Sequence, residues 1–458
     1  MKALRWLTRI GPAFVIAAVV LGPGSVTTMS KMGASHGYAM LWLALLAGVL
    51  MAGFVTLFMR FGISANKSFL QHCADAWGRW FAALAGISMF YVATAFQFGN
   101  NIGVTTAMAS LLTPAAEPGR QAVPVVPPWV WPVAFNVLSL AFLFAFRRIY
   151  TILEKMMTLF VAIMLVAFLL NLFFARPSVP GIALGLVPSL PKGLDWMVAA
   201  GLVATTFSIV GAIFQAYMVR ARGWTQADYG KGVADSLSGI GMLALISMVI
   251  LITSAAVLHP QNVQINDAAD MAGQLERFLG AGAKLVFCIG FGSAAYSSFL
   301  VNAMIGGTLL SDGLGLSDDI NSWPARIASA ASLLIGMVVA ILILVGGGIS
   351  AADALVVGQA GTLLAIPVTI VATLLVLFHP GRSGARPLGP VAKGFVLLGV
   401  AVLIAMTVRS YIGFAAQLRR KPPAEAAPAA QVPARTGDSA PLPEHPPRGI
   451  MPARSGDS

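Results

Sequence analysis

The sequence predicts an all-α integral membrane protein of about eleven transmembrane helices. Three observations carry that prediction. Of 458 residues, 58% are hydrophobic and only 10% are Asp, Glu, Lys or Arg, whereas roughly a quarter are charged in soluble domains. Apolar runs of roughly 20 residues, the length that crosses a bilayer, recur along most of the chain. The basic residues stand one to three at a time between those runs, the arrangement that orients a multispanning protein. The net charge of +12 is therefore no sign of nucleic-acid binding. Cys73 and Cys288 have neither metal-site nor disulfide spacing, so no redox role is expected.

In chain order the spans are expected over residues 10–30, 39–59, 82–112, 128–146, 152–174, 194–220, 234–258, 281–310, 325–346, 353–378 and 390–413. Residues 1–24 have the basic start and apolar middle of a signal peptide. No A-x-A-like cleavage site follows, however, and apolar spans continue, so they read as a short leader and a first helix. Lys2, Arg5 and Arg9 precede that helix. Arg60, Lys67, Arg79, Arg147, Arg148, Lys155, Arg220, Arg222, Lys231, Arg382, Arg386 and Lys393 fall on the same side. The N-terminus is accordingly expected in the cytoplasm of a cell whose inner membrane holds the chain. An odd span count puts Arg419 to Lys421 on the other side, against this bias; eleven spans are kept because the earlier alternation is regular. Beyond the spans the composition turns to Pro and Ala with scattered charge, and residues 414–458 read as a disordered tail.

The first span contains "VVLGPGSVTTM", from Val19 to Met29. Gly22, Pro23 and Gly24 interrupt a helix at mid-depth, where unpaired backbone is tolerated only inside protein or beside a water-filled cavity. A second interruption, "VATTFSIVG" from Val203 to Gly211, falls at the corresponding place in the second half. Paired interruptions of this kind point to a transporter's binding site.

The stretch from Gly11 to Met51, with its Gly-Pro-Ala-Phe, Pro-Gly and Gly-Tyr, resembles the first two spans of the NRAMP metal transporters. "YTILEK" from Tyr150, "LVPSLPKG" from Leu186, "NAMIGGTLLSDGLG" from Asn302 and "VGQAGTLLAIP" from Val357 extend the resemblance to about residue 413. The resemblance implies a LeuT-like fold in which five-helix inverted repeats, about residues 10–174 and 194–378, are followed by an extra helix at about 390–413. It also implies a substrate site where spans one and six unwind. Gly22, Pro23, Gly24 and Ser25 would supply the span-one part, and Thr205, Thr206, Ser208 and Gly211 the span-six part. Gln97, Asn100, Asn101 and Gln359 would line the cavity.

The departures from the family pattern matter as much. The family binds metal with Asp-Pro-Gly-Asn in span one and Met-Pro-His in span six. Here the first motif is Gly22-Pro23-Gly24-Ser25, and Ser208, Ile209 and Val210 stand near the place of the second. Gln97 and Asn100 replace the Asp and Glu of the family's proton route, and no Asp or Glu stands in the middle of any span. A ring of Ser, Thr and carbonyl groups replaces metal-bound water poorly, so no side-chain metal site of the usual kind is expected, and proton coupling of the family type is doubtful. The sequence reading therefore favours a transporter of a metal that brings its own ligands, an iron–siderophore chelate above all. A low-selectivity divalent ion transporter (Mn, Fe or Mg) and a non-transporting receptor are the alternatives. No enzyme is expected, since there is no His-Glu-x-x-His, no paired aspartates and no Ser-Lys dyad at membrane depth. No cofactor is expected either. The partners are the lipid bilayer and the chelated metal or metal ion, with no nucleic acid and a monomer as the default state.

Overall fold

The structure is a computed structural model that describes residues 22–113, 125–144, 162–379 and 387–419. Its helices are α1 (Pro23–His36), α2 (Leu41–Ser64), α3 (Phe69–Trp77), α4 (Arg79–Leu112), α5 (Val130–Phe144), α6 (Ala162–Ala175), α7 (Val179–Gly185), α8 (Trp196–Thr206), α9 (Ile209–Ala221), α10 (Tyr229–Val257), α11 (Ala283–Gly313), α12 (Trp323–Gly346), α13 (Ala351–Thr362), α14 (Ile366–Phe378) and α15 (Pro390–Arg419). Among the described residues there is no strand.

Eight helical stretches are long and apolar enough to cross a membrane, or nine if the pair α6 and α7, bent by 119°, is one span. The difference from eleven lies in three places. Residues 10–21 of the first expected span and 152–161 of the fifth fall outside the described residues, leaving α1 and α6 short. The fourth is α5, with 15 described residues. The leader also lies outside, as does the expected tail from residue 420 on; residues 414–419, expected in that tail, instead continue α15 as helix, since they are mostly apolar, helix-forming residues that precede the first proline of that stretch.

Lengths follow from the bilayer. The 24 residues of α2 make a helix of about 36 Å at 1.5 Å per residue, enough for a core of about 30 Å. The 34 residues of α4 exceed that need, which lets the helix tilt or project. α4 begins immediately after Gly78, whose φ of 90° lets the chain leave α3 and turn at once into the span.

Burial places the centre of the bundle. The α8–α9 stretch is 94% buried, while α12 is 33% buried, and Ile335, Val338, Leu342 and Val345 of α12 stand exposed, as lipid-facing residues must. Small residues set the close approaches, as is usual where no hydrophobic force acts between helices in lipid. A Cβ added at Gly86 of α4 would lie 2.8 Å from the Leu309 carbonyl oxygen of α11, and one at Gly306 of α11 would lie 2.8 Å from the Ala93 Cβ. Gly33 of α1 comes so close to α10 that a Cβ there would lie 2.7 Å from the Ser254 Cβ. These contacts pack α4 against α11 and α1 against α10.

Candidate functional site

The helix of α1 starts inside the protein because Pro23, at its first position, has no N–H to leave unpaired and has φ already set for a helix. Gly22 before it is extended, with φ −84° and ψ −176°, and offers no side chain to cap the helix. The sixth span breaks at Phe207, where φ is −104° and ψ 67°. It restarts at Ser208, whose hydroxyl accepts the Gly211 N–H at 3.3 Å. The two restarts face one cavity of about 20 Å³, room for about one or two water-sized bodies at 10–15 Å³ each.

Gly22, Pro23, Gly24 and Ser25 form one wall of this cavity, and Thr205, Ser208 and Gly211 form another. Helix α4 adds Phe96 and Asn100, α11 adds Asn302 and Ile305, and α13 adds Gln359. No Asp, Glu, Lys or Arg is among these residues. The walls are also built by glycines. Gln359 sits against Gly24 and Gly99: a Cβ at either would come within 2.5 Å of its Nε2. The Pro23 ring seats on Gly103 in the same way, at 2.5 Å. Ser25 is 1% exposed and Gln359 is 2% exposed, and neither Ser25 Oγ nor Gln359 Oε1 has a hydrogen-bond partner among the described residues. Buried polar atoms are seldom left so, and here both belong to residues of the cavity wall.

Three sequence-predicted residues are not on that wall. Gln97 lies behind Asn100, accepting its amide N–H at 3.3 Å. Asn101 turns to α5 and accepts the Asn136 amide at 2.6 Å. One residue advances about 100° around a helix, so Asn100 and Asn101 cannot face the same space. Thr206, one step past Thr205, is buried without a partner for its hydroxyl but points elsewhere for the same reason. In the other direction, the structure adds Phe96, Asn302 and Ile305 to the wall, which no motif in the sequence marks as a group. Asn302 alone carried a signal, being an amide within an apolar helix, where polar groups are costly unless they pack or bind.

Further along α1 and α9, beyond the cavity wall, lie two polar clusters. Toward the end of α1, Lys31 pairs with Asp353 of α13 at 2.7 Å and donates to the Ile265 carbonyl at 3.0 Å. Ser30 receives Gln274 Nε2 on its hydroxyl at 2.8 Å and the Ser254 hydroxyl on its carbonyl at 2.6 Å. Toward the end of α9, Tyr217 and Ser68 donate to Asp312 Oδ2 at 2.6 and 2.5 Å, and Arg79 donates to the Asp312 carbonyl at 3.2 Å. Asp312, 1% exposed, lies just past the expected limit of the eighth span. Outside the spans, burial pushes the His72 imidazole of α3 down to about 4. Among the described residues no three His, Cys, Asp or Glu side chains come together as a metal would require.

The helix start at Pro23 and the break between α8 and α9 meet at a small cavity within a multi-pass helical bundle, an arrangement that fits a membrane transporter of the broken-helix class. The chain matches the family described as Natural resistance-associated macrophage protein-like, Nramp, over residues 13–413, and it belongs to that family. It is similar to the divalent metal cation transporter MntH of Deinococcus radiodurans, 24% identical over 419 residues that cover 89% of this chain and 90% of that protein. It is similar also to the protein of that name from Acidiphilium cryptum, 25% identical over 411 residues, covering 87% and 90%. The crystal structure of the Eremococcus coleocola manganese transporter matches with a TM-score of 0.69 at 18% identity, covering 90% of this chain and 88% of that one. That likeness shows the fold, which is LeuT-like, with two inverted five-helix repeats.

Proposed function

We propose that this chain is a secondary transporter that carries a bare divalent metal cation, weakly and with low selectivity, through a site of neutral donors. The observation that carries this reading is the cavity. Its 20 Å³ suits one small ion with at most one water at 10–15 Å³ per water, and a chelate of tens of heavy atoms has no comparable space there. This size and the metals named for the relatives move the preference from the iron–siderophore chelate to the bare ion. The hydroxyl of Ser25, the amide oxygens of Asn100, Asn302 and Gln359, and the carbonyls at the open end of α8 supply oxygen donors without formal charge. Calcium-type sites weaken steeply as ligand charge falls, so affinity in the millimolar range is expected, with hard ions favoured over those that seek sulfur or nitrogen. The distribution of basic residues supports a cytoplasmic N-terminus in an inner membrane.

The test is uptake by the full chain in proteoliposomes. Radiolabelled manganese should accumulate above empty vesicles, and millimolar magnesium should compete. A labelled ferric chelate should not enter. Entry of the chelate without manganese uptake would overturn the reading in favour of the sequence-based expectation.

A further inference from the structure

We propose that the same cavity binds a small monovalent anion, chloride in class, at the converging starts of α1 and α9. The start of any α-helix leaves N–H groups unpaired and carries about half a positive charge, which makes it an anion site when nothing else fills it. Two such starts meet here, from helices of 14 and 13 residues.

In α1 the first intrahelical bond runs from the Val26 N–H to the Gly22 carbonyl at 3.3 Å. Pro23 has no N–H, and Gly22 provides no cap. The N–H groups of Gly24 and Ser25 therefore have no partner among the described residues. In α9 the Ser208 hydroxyl takes only the Gly211 N–H, so those of Ile209 and Val210 remain. A second, independent observation points the same way. The Ser25 hydroxyl, on the cavity wall and 1% exposed, is unpartnered, and a hydroxyl can donate.

A carboxylate at the N-cap is the usual way to satisfy such a start, and Gly22 has none. At 20 Å³ the space suits a monatomic anion better than a bulky carboxylate. The anion then supplies the negative charge that the wall lacks. A cation beside it would lie toward the carbonyl end of α8 and Gln359 Oε1, where acceptors are left open. Half-helix starts facing anions, with opened carbonyls facing cations, are the general electrostatic arrangement of broken spans. The effect on metal uptake rests on the transport reading given above, whereas the binding of the anion does not.

The experiment measures radiolabelled chloride on the purified full chain in a gluconate background, without metal. Saturable binding displaced by bromide is expected. Gly22→Asp should weaken it by about tenfold or more, because a fixed carboxylate at this short range repels an anion strongly at protein dielectric. Gly22 has an ordinary extended φ, so the substitution adds no backbone strain. Ser322→Ala, at the N-cap of α12, should bind as the unaltered chain does. If Gly22→Asp fails to fold, Ser25→Ala replaces it and should weaken binding several-fold. In proteoliposomes, manganese uptake should fall when gluconate replaces chloride, and Gly22→Asp should remove that dependence. Absence of saturable chloride binding to the unaltered chain, or full binding by Gly22→Asp, would overturn the proposal. Chloride binding with no manganese uptake in either salt would overturn the transport reading and leave the anion site standing.

Discussion

The two breaks solve the same backbone problem differently. At the span-six break the chain serves itself: Ser208 caps α9 through the Gly211 N–H, and Thr205 turns its hydroxyl to its own helix, donating to the Gly201 carbonyl at 2.9 Å. At the span-one break Gly22 caps nothing and the Ser25 hydroxyl finds no partner. One break is partly served by its own side chains, with the Thr206 hydroxyl still unpartnered, and the other has no side-chain cap at all. Inside a membrane protein an open polar group costs free energy unless something binds it, so side-chain changes at the span-one break are expected to act on binding more than those at the capped span-six break. The same difference says where substitutions should change transport and where they should change only stability.

The largest effect is expected from Gly24→Ala. Its Cβ would lie 2.5 Å from Gln359 Nε2 and 2.7 Å from its Cγ, and Gly99 confines the same amide from the other side. The amide is the end of a flexible side chain, so the fold should survive while Gln359 leaves the wall. Manganese uptake should drop by about tenfold or more, as misplacing a binding group by an ångström can cost far more than that. Gly201→Ala on the span-six side offers the contrast. Its Cβ would press on the Thr28 methyl at 3.0 Å and make ordinary contacts at 3.6 Å with the Gln359 Cβ and the Val356 carbonyl oxygen, and uptake should change less. Equal losses in the two variants would remove the distinction between the breaks.

Next is the double variant Gly22→Asp with Ser25→Asn, which returns an acid and an amide to the span-one break. Calorimetric titration with manganese should show affinity rising by about tenfold, some 1.4 kcal/mol, because a carboxylate adds the formal charge that the wall lacks. Heats no larger than those of the unaltered chain would mean that Gly22 and Ser25 do not set the charge of the site.

How far this was legible in the sequence differs between the breaks and the walls. The breaks were visible because their residues are conformationally marked: Gly22, Pro23 and Gly24 cannot continue an ordinary helix, and Ser208 sits in a Thr/Ser-containing gap. The walls were not, because Phe96, Asn302 and Ile305 lie on unbroken apolar helices whose rotation only packing decides. Gln97 and Asn101 show the converse error. Their amides look alike in the sequence, yet helical rotation sends Asn101 to Asn136 and hides Gln97 behind Asn100. The eight long apolar spans among the described residues were legible from length and hydropathy; the 119° bend between α6 and α7 was not, since no run of apolar residues records an angle.

A third substitution, Ser208→Ala, removes the cap of the span-six break. The Gly211 N–H loses its acceptor, and loss of an N-cap costs about 1 kcal/mol. Thermal unfolding in detergent should report that loss, with manganese affinity nearly unchanged. A large loss of affinity at unchanged stability would instead mean that the Ser208 hydroxyl itself holds the ligand.

The smallest effect should come from Thr28→Val, where the two breaks touch. Thr28 Oγ1 lies 3.5 Å from Thr205 Oγ1, at the limit of a hydrogen bond, and it donates to the Ser25 carbonyl at 3.2 Å. Thr205 is already satisfied by its own helix through the Gly201 and Leu202 carbonyls at 2.9 and 3.1 Å, so removing the Thr28 hydroxyl strands no buried donor. Valine keeps the shape. The cost should therefore be at the low end of a lost hydrogen bond, about 0.5 kcal/mol, read as a small fall in thermal midpoint. The Ser25 carbonyl, released from Thr28, becomes one more acceptor beside the span-one break, and manganese affinity should stay level or rise slightly. A loss of several kcal/mol would mean that the Thr28 and Thr205 hydroxyls tie the two breaks together, and that the span-six break supports the span-one break rather than standing apart from it.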